Sequence, residues 1–174
     1  VSTLTTDSVA LLLAQQRALA GRICERDEVL VPMVTPPLAH EHALGLELIL
    51  EGFLLHHGTS RHAGVVEMGA AVLGGDYCYA QGLVRVAATG DLAIVEALAD
   101  LVALSSAAMA ADRADDLVAL WRCTAAAVAG EHGPATVEAV RLARGALREG
   151  RSEPITELAA QLPPAPALAE ALAR

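Results

Sequence analysis

Apolar positions recur at helical spacing along most of this chain. Val9, Leu12, Leu13, Leu19 and Ile23, with Gln16 among them, fall at intervals that share one face of a helix. Thr6 and Ser8 give that helix a weak start, since no Glu or Gln completes a capping box, and the pattern fades near Arg26-Asp27. The stretch from Val29 to His40 carries Pro32, Pro36 and Pro37, which forbid a continuous helix. Two long helices are expected next, over about 38–55 and 64–88, joined by the polar hinge His57 to His62. Gly90-Asp91 ends the second and starts another over about 92–111, with Ile94, Val95, Leu98, Leu101 and Val102 on one face. Further helices follow over 114–129, punctuated by Gly130 and Gly133-Pro134, and over 135–148, closed by Gly150. The tail 155–174 reads as helical on both sides of Pro163-Pro164. The pattern predicts an all-α bundle of about six or seven helices in one domain of 174 residues.

Composition sharpens this picture. Hydrophobic residues make up 54% of the chain but aromatics only 2%, so the core must be built from Ala, Leu and Val. Such a core suits helices packed closely through small residues better than a sheet. Gly69, Gly74 and Gly75 each cost about 1 kcal/mol inside a helix relative to Ala, and close helix–helix approach is the return they imply. Twelve basic residues, all Arg, stand against 21 acidic ones, and the net charge of −9 disfavours binding to nucleic acid. The absence of lysine removes Schiff-base and lysine–phosphate chemistry. Cys24, Cys78 and Cys123 match no metal or redox spacing and read as buried thiols of a reducing cytosol. No signal-peptide pattern opens the chain. Glu47, Glu51, Glu67, Asp76, Arg85 and Asp100 interrupt the apolar stretches, so no uninterrupted transmembrane span of ~18 residues is expected. These features predict a soluble, cytoplasmic protein with apolar surface left for a partner.

The phrase AAVLGGDYCYAQGL, Ala70 to Leu83, resembles a helix of the trans-prenyltransferases, the all-helical synthases that extend isoprenyl diphosphates. In that family an apolar run leads into Gly-Asp, then an aromatic or leucine, then alanine; Gly75, Asp76, Tyr77 and Ala80 fill those places here. Leu54-Leu55-His56 resembles the Leu-x-His ahead of the first Asp-rich motif, but His57-Gly58-Thr59-Ser60-Arg61-His62 stands where the motif belongs. Leu30-Val31-Pro32 looks like the end of the Gly-Lys-x-x-Arg-Pro signature, with valine replacing arginine and no lysine upstream. Cys123-Thr124 looks like the family's Lys-Thr pair, again without the lysine, and no Asp-Asp follows. ELAAQLPPAPALAEALA is similar to the family's C-terminal phrase. The resemblance covers most of the chain from about residue 30.

The family holds three magnesium ions between two facing Asp-rich motifs, because hard cations want clustered oxygen ligands. This chain keeps neither cluster, so the resemblance implies no catalytic residue and no cofactor of its own. It implies a short subunit that pairs with a full-length prenyl diphosphate synthase, supports its activity and helps set product length, with magnesium in that partner. It also implies a homodimer when the partner is missing, through the small residues Ala71, Gly74 and Ala80 together with Tyr77. His56, Arg61, Gly75 and Asp76 are the structural or cleft candidates, Asp76 being expected in the interior with His56, Arg61 or a helix terminus as its partner.

Two other readings stay open on the residues themselves. Asp112, Asp115 and Asp116 are spaced to share one side of a helix and could hold a magnesium ion, although acids in a first helical turn are also favoured by the macrodipole. His56, His57 and His62, with Glu51 and Glu67, offer ligands suited to zinc or iron in a metal-dependent enzyme. Against that, no Glu-x-x-His pair occurs, and adjacent histidines on a helix diverge by about 100°. A degenerate homodimer that binds an isoprenoid without chemistry is the third class.

Overall fold

The computed structural model describes residues 2–19, 23, 40–130 and 134–173. Among them are eight helices: α1 (Ser2–Gln15), α2 (His40–His57), α3 (Met68–Ala88), α4 (Leu92–Ala110), α5 (Asp115–Ala129), α6 (Pro134–Arg148), α7 (Glu153–Ala160) and α8 (Pro166–Leu172). No strand occurs among the described residues, so the all-α class expected from the pattern is the class observed. The count exceeds the expected six or seven because Pro163-Pro164 divides the tail into two short helices, α7 and α8. Cys24, Leu30-Val31-Pro32 and Gly133 lie outside the described residues.

Helix α2 is the centre. Every residue from Ala43 to Leu55 is buried, the condition of a helix that is apolar nearly all round. Its partner is α3, and glycine sets their separation. Gly45 and Gly52 stand seven residues apart on α2, as do Gly75 and Gly82 on α3. A Cβ on Gly82 would lie 2.9 Å from the Gly45 carbonyl oxygen, and one on Gly52 would lie 3.0 Å from the Gly75 carbonyl oxygen. Gly45 therefore meets Gly82 and Gly52 meets Gly75, an antiparallel register with backbone against backbone. The cost of Gly74, Gly75 and Gly82 is returned within the chain, whereas Gly69 is exposed and makes no close approach, since a Cβ there would meet only Glu67 at 3.6 Å.

A smaller cluster joins α1 to this pair: Val9, Leu13, Leu19, Leu44, Leu48 and Cys78 are fully buried together. The larger core fills the other side of α2, where Phe53 meets Trp121 of α5 edge-on at 6.0 Å between ring centroids. Asp91 caps α4 by accepting from the Ile94 N–H at 3.2 Å. Helix α4 is, by length and mean hydropathy of 1.8, apolar enough to cross a membrane, the one such helix among the described residues. Within the bundle it buries Leu98, Leu101 and Leu104, and its Asp100 pairs with Arg144 at 3.6 Å and with Arg148, both on α6. Arg144, nearly fully buried, also donates to the Ala97 carbonyl at 3.0 Å.

Helix α3 begins at Met68, not at Gly64 as the pattern suggested. Gly64 adopts φ +64°, closed by a bridge to Ser60, which no helix tolerates. Residues 58–67 instead fold back over α2.

Candidate functional site

That returning segment forms a buried polar network. Glu47 and Glu51, one turn apart on α2, are both fully buried. Arg61 Nη2 donates to Glu47 Oε2 at 2.7 Å and Arg61 Nε to Glu51 Oε2 at 3.3 Å. The Ser60 hydroxyl donates to Glu51 Oε1, which also accepts the His62 backbone N–H at 3.3 Å. Ser60 Oγ in turn accepts the Ala63 N–H at 2.8 Å. Burial alone would lower the Arg61 guanidinium, but the charges and hydrogen bonds of Glu47 and Glu51 outweigh it and hold the group above its ordinary value. The sequence suggested polar hinge residues; Ser60, Arg61 and His62 are in fact buried, because two carboxylates inside an apolar helix require a cation and donors. This network was missed, although Glu47 and Glu51 in an otherwise apolar run were its visible signal.

At the C-terminal end of α2, His56 Nε2 lies 3.3 Å from Asp76 Oδ1. Its ring stacks on Tyr79 at 5.2 Å between centroids. A Cβ on Gly75 would collide with that imidazole, so the Gly75-Asp76 pair has a local physical reason: glycine admits the ring and aspartate receives it. Asp76 is not buried as expected; 68% of its side chain is exposed, because Gly75 and Cys78 take the inner side of α3. Its partner is His56, whereas Arg61 is committed to Glu47 and Glu51. Beneath the pair, burial pushes the Cys78 thiol and the Tyr79 phenol up, Glu51 adding to the first and Cys78 and Asp76 to the second.

Burial likewise lifts the Cys123 thiol from 9.0 to about 11, slightly opposed by Arg122. Each of these groups is neutral when protonated and held neutral by the fold. The stability this contributes is complete below the unfolded-state pKa and is lost as pH rises through the folded one. Unfolding free energy is therefore expected to fall above pH 9.0 for the two thiols and above 10.0 for the phenol, by up to about 1.4 kcal/mol per pH unit for each group. Urea titrations across that range check it, and Cys123→Ser should flatten the part of the slope between 9.0 and about 11.

The other candidates are not gathered into one place. His57 packs on Phe53 at 4.8 Å between ring centroids, and burial followed by the neighbouring His56 lowers its pKa. Asp112 sits ahead of α5 with φ 55°, Asp115 opens that helix exposed, and Asp116 turns inward to accept the Ser152 hydroxyl at 2.8 Å. Among the described residues, no group of three or more His, Cys, Asp or Glu side chains is placed to hold a metal ion.

The outer side of α3 is open and carries large apolar side chains around the exposed Asp76. Met68 is 82% exposed, Leu73 58% and Val84 62%, with Val72 beside them. Of the residues expected to pair with another chain, only Ala80 is exposed on this side, while Ala71 and Tyr77 are half-buried. Gly74 is taken up internally: a Cβ there would meet Leu19 at 2.8 Å and Leu55 at 3.3 Å. Compared with protein-family models, curated proteins and solved structures, the chain matches none.

Proposed function

We propose that this chain is a non-catalytic small subunit of a heterodimeric long-chain polyprenyl diphosphate synthase, docking on its catalytic partner through the outer side of α3. The observation that carries the reading is the open row Met68, Val72, Leu73 and Val84 on the helix that bears the family-like phrase AVLGGDYCYA. Four large apolar side chains left exposed on a single helix, around the charged Asp76, suit a surface that a partner covers. The residues at the place of the first Asp-rich motif are employed in holding the subunit together, Ser60 and Arg61 on Glu51 and His57 on Phe53. Magnesium and the diphosphate sites then belong to the partner, and without it the same side of α3 pairs two copies of this chain.

Activity assays separate this reading from independent catalysis. The purified chain with magnesium, farnesyl diphosphate and isopentenyl diphosphate is expected to give no prenyl transfer, and product should form only once a full-length synthase subunit is added. Turnover by the chain alone, free of contaminating synthase, would overturn the assignment.

A further inference from the structure

Helices α5, α6 and α7 line a half-open cavity of about 420 Å³, to which no described residue of α3 contributes. This lies within the ~300–1,000 Å³ range of small-molecule sites. Its walls are the methyls of Ala126 and Ala139 and the side chains of Leu158 and Leu162. Thr136 and Gln161 supply the uncharged polar groups, and among the described residues no ionisable carboxylate, guanidinium or imidazole lines it. Arg122, next to the lining Cys123, is engaged: its Nη2 donates to the Leu162 and Pro163 carbonyls at 2.5 and 2.6 Å. Cys123 also lines the cavity with its thiol donating to the Ile155 carbonyl at 3.6 Å, and the thiol is neutral at physiological pH.

We propose that this cavity binds a neutral amphiphile, a hydrocarbon tail ending in a hydroxyl or similar uncharged head. The tail lies against Ala126, Ala139, Leu158 and Leu162, and the head meets Thr136 and Gln161. A dry cavity of ~150 Å³ takes one benzene, so this one has room for roughly 15 carbon atoms. A charged head is disfavoured, because burying phosphate or carboxylate without a cation is costly. The site is independent of the subunit reading, which concerns α3.

The test is fluorescence titration of the full chain with the neutral probe N-phenyl-1-naphthylamine, followed by displacement. Saturable binding is expected, with dodecanol displacing the probe and dodecyl phosphate doing so about tenfold or more weakly. Ala139→Phe should abolish binding; should that variant fold poorly by circular dichroism, Ala135→Trp closes the cavity from its exposed rim instead. Leu73→Asp on α3 should leave binding unchanged, which separates the cavity from the open helix surface. No saturable binding, equal displacement by the phosphate, binding that survives closure of the cavity, or binding lost in Leu73→Asp would each overturn the proposal.

Discussion

Arg61→Ala is expected to cost about 3–5 kcal/mol of folding stability, the largest effect of any single substitution considered. The side chain is 6% exposed and stands between two carboxylates that are fully buried. Removing it takes from Glu47 and Glu51 the guanidinium they share, and either they remain charged in the interior with fewer donors or one must take up a proton. Both routes weaken the fold. The loss measures the orphaned charges, however, and not the net worth of the network. Replacing Glu47, Glu51 and Arg61 together by leucine and methionine is therefore expected to recover most of the stability, since apolar substitutes for buried ion pairs are often neutral or better. The half-exposed pair Arg85–Glu41, at 3.4 Å, is the control: Arg85→Ala should change stability by about 1 kcal/mol or less. Urea unfolding of the four proteins checks the set. An Arg61→Ala loss no larger than the control would show that water reaches the carboxylates.

Gly82→Leu is the second large effect. A Cβ at position 82 meets the Gly45 carbonyl oxygen at 2.9 Å and Ile49 at 3.0 Å, and the first of these is backbone that cannot turn aside. Accommodating a leucine requires α2 and α3 to separate, and overpacking of this kind costs about 1–3 kcal/mol, occasionally more. The contrasting glycine is Gly145 on α6, where an added Cβ meets nothing within 4 Å. Gly145→Ala should stabilise the protein by about 0.5–1 kcal/mol through helix propensity alone. Opposite signs for these two substitutions, read by thermal unfolding, are expected. A stabilising Gly82→Leu would contradict the close α2–α3 crossing.

Much of this was legible in the residues. Asp91, Gly130 and Gly150 placed the ends of α4, α5 and α6 within a residue or two, because capping and left-handed termination are local chemistry. Although Gly69 makes none, Gly74 and Gly75 correctly announced a close approach. They did not say whose helix approaches, since a glycine facing its own α2 and one facing another chain have the same spacing. Gly74 and Gly75 proved to be of the first kind. The segment HGTSRH read as a polar hinge because its polarity was judged locally. Its ion pairs reach 10 and 14 residues back to Glu51 and Glu47, a distance over which no periodicity carries a signal. Asp76 was misplaced for the related reason that one position on a helix decides between core and solvent, and Gly75 had already claimed the inner side.

The association through α3 is the central claim, and sedimentation measures it most directly. The wild-type chain and Leu73→Asp would be run alone and mixed with a full-length prenyl diphosphate synthase at micromolar concentration, with circular dichroism to confirm that the helices persist. The account predicts a two-fold dimer of the wild-type chain alone, a mixed complex with the synthase, and loss of both on placing a charge at the 58%-exposed Leu73. A wild-type chain that stays monomeric and binds no synthase, or a Leu73→Asp variant that associates as well as wild type, would contradict it.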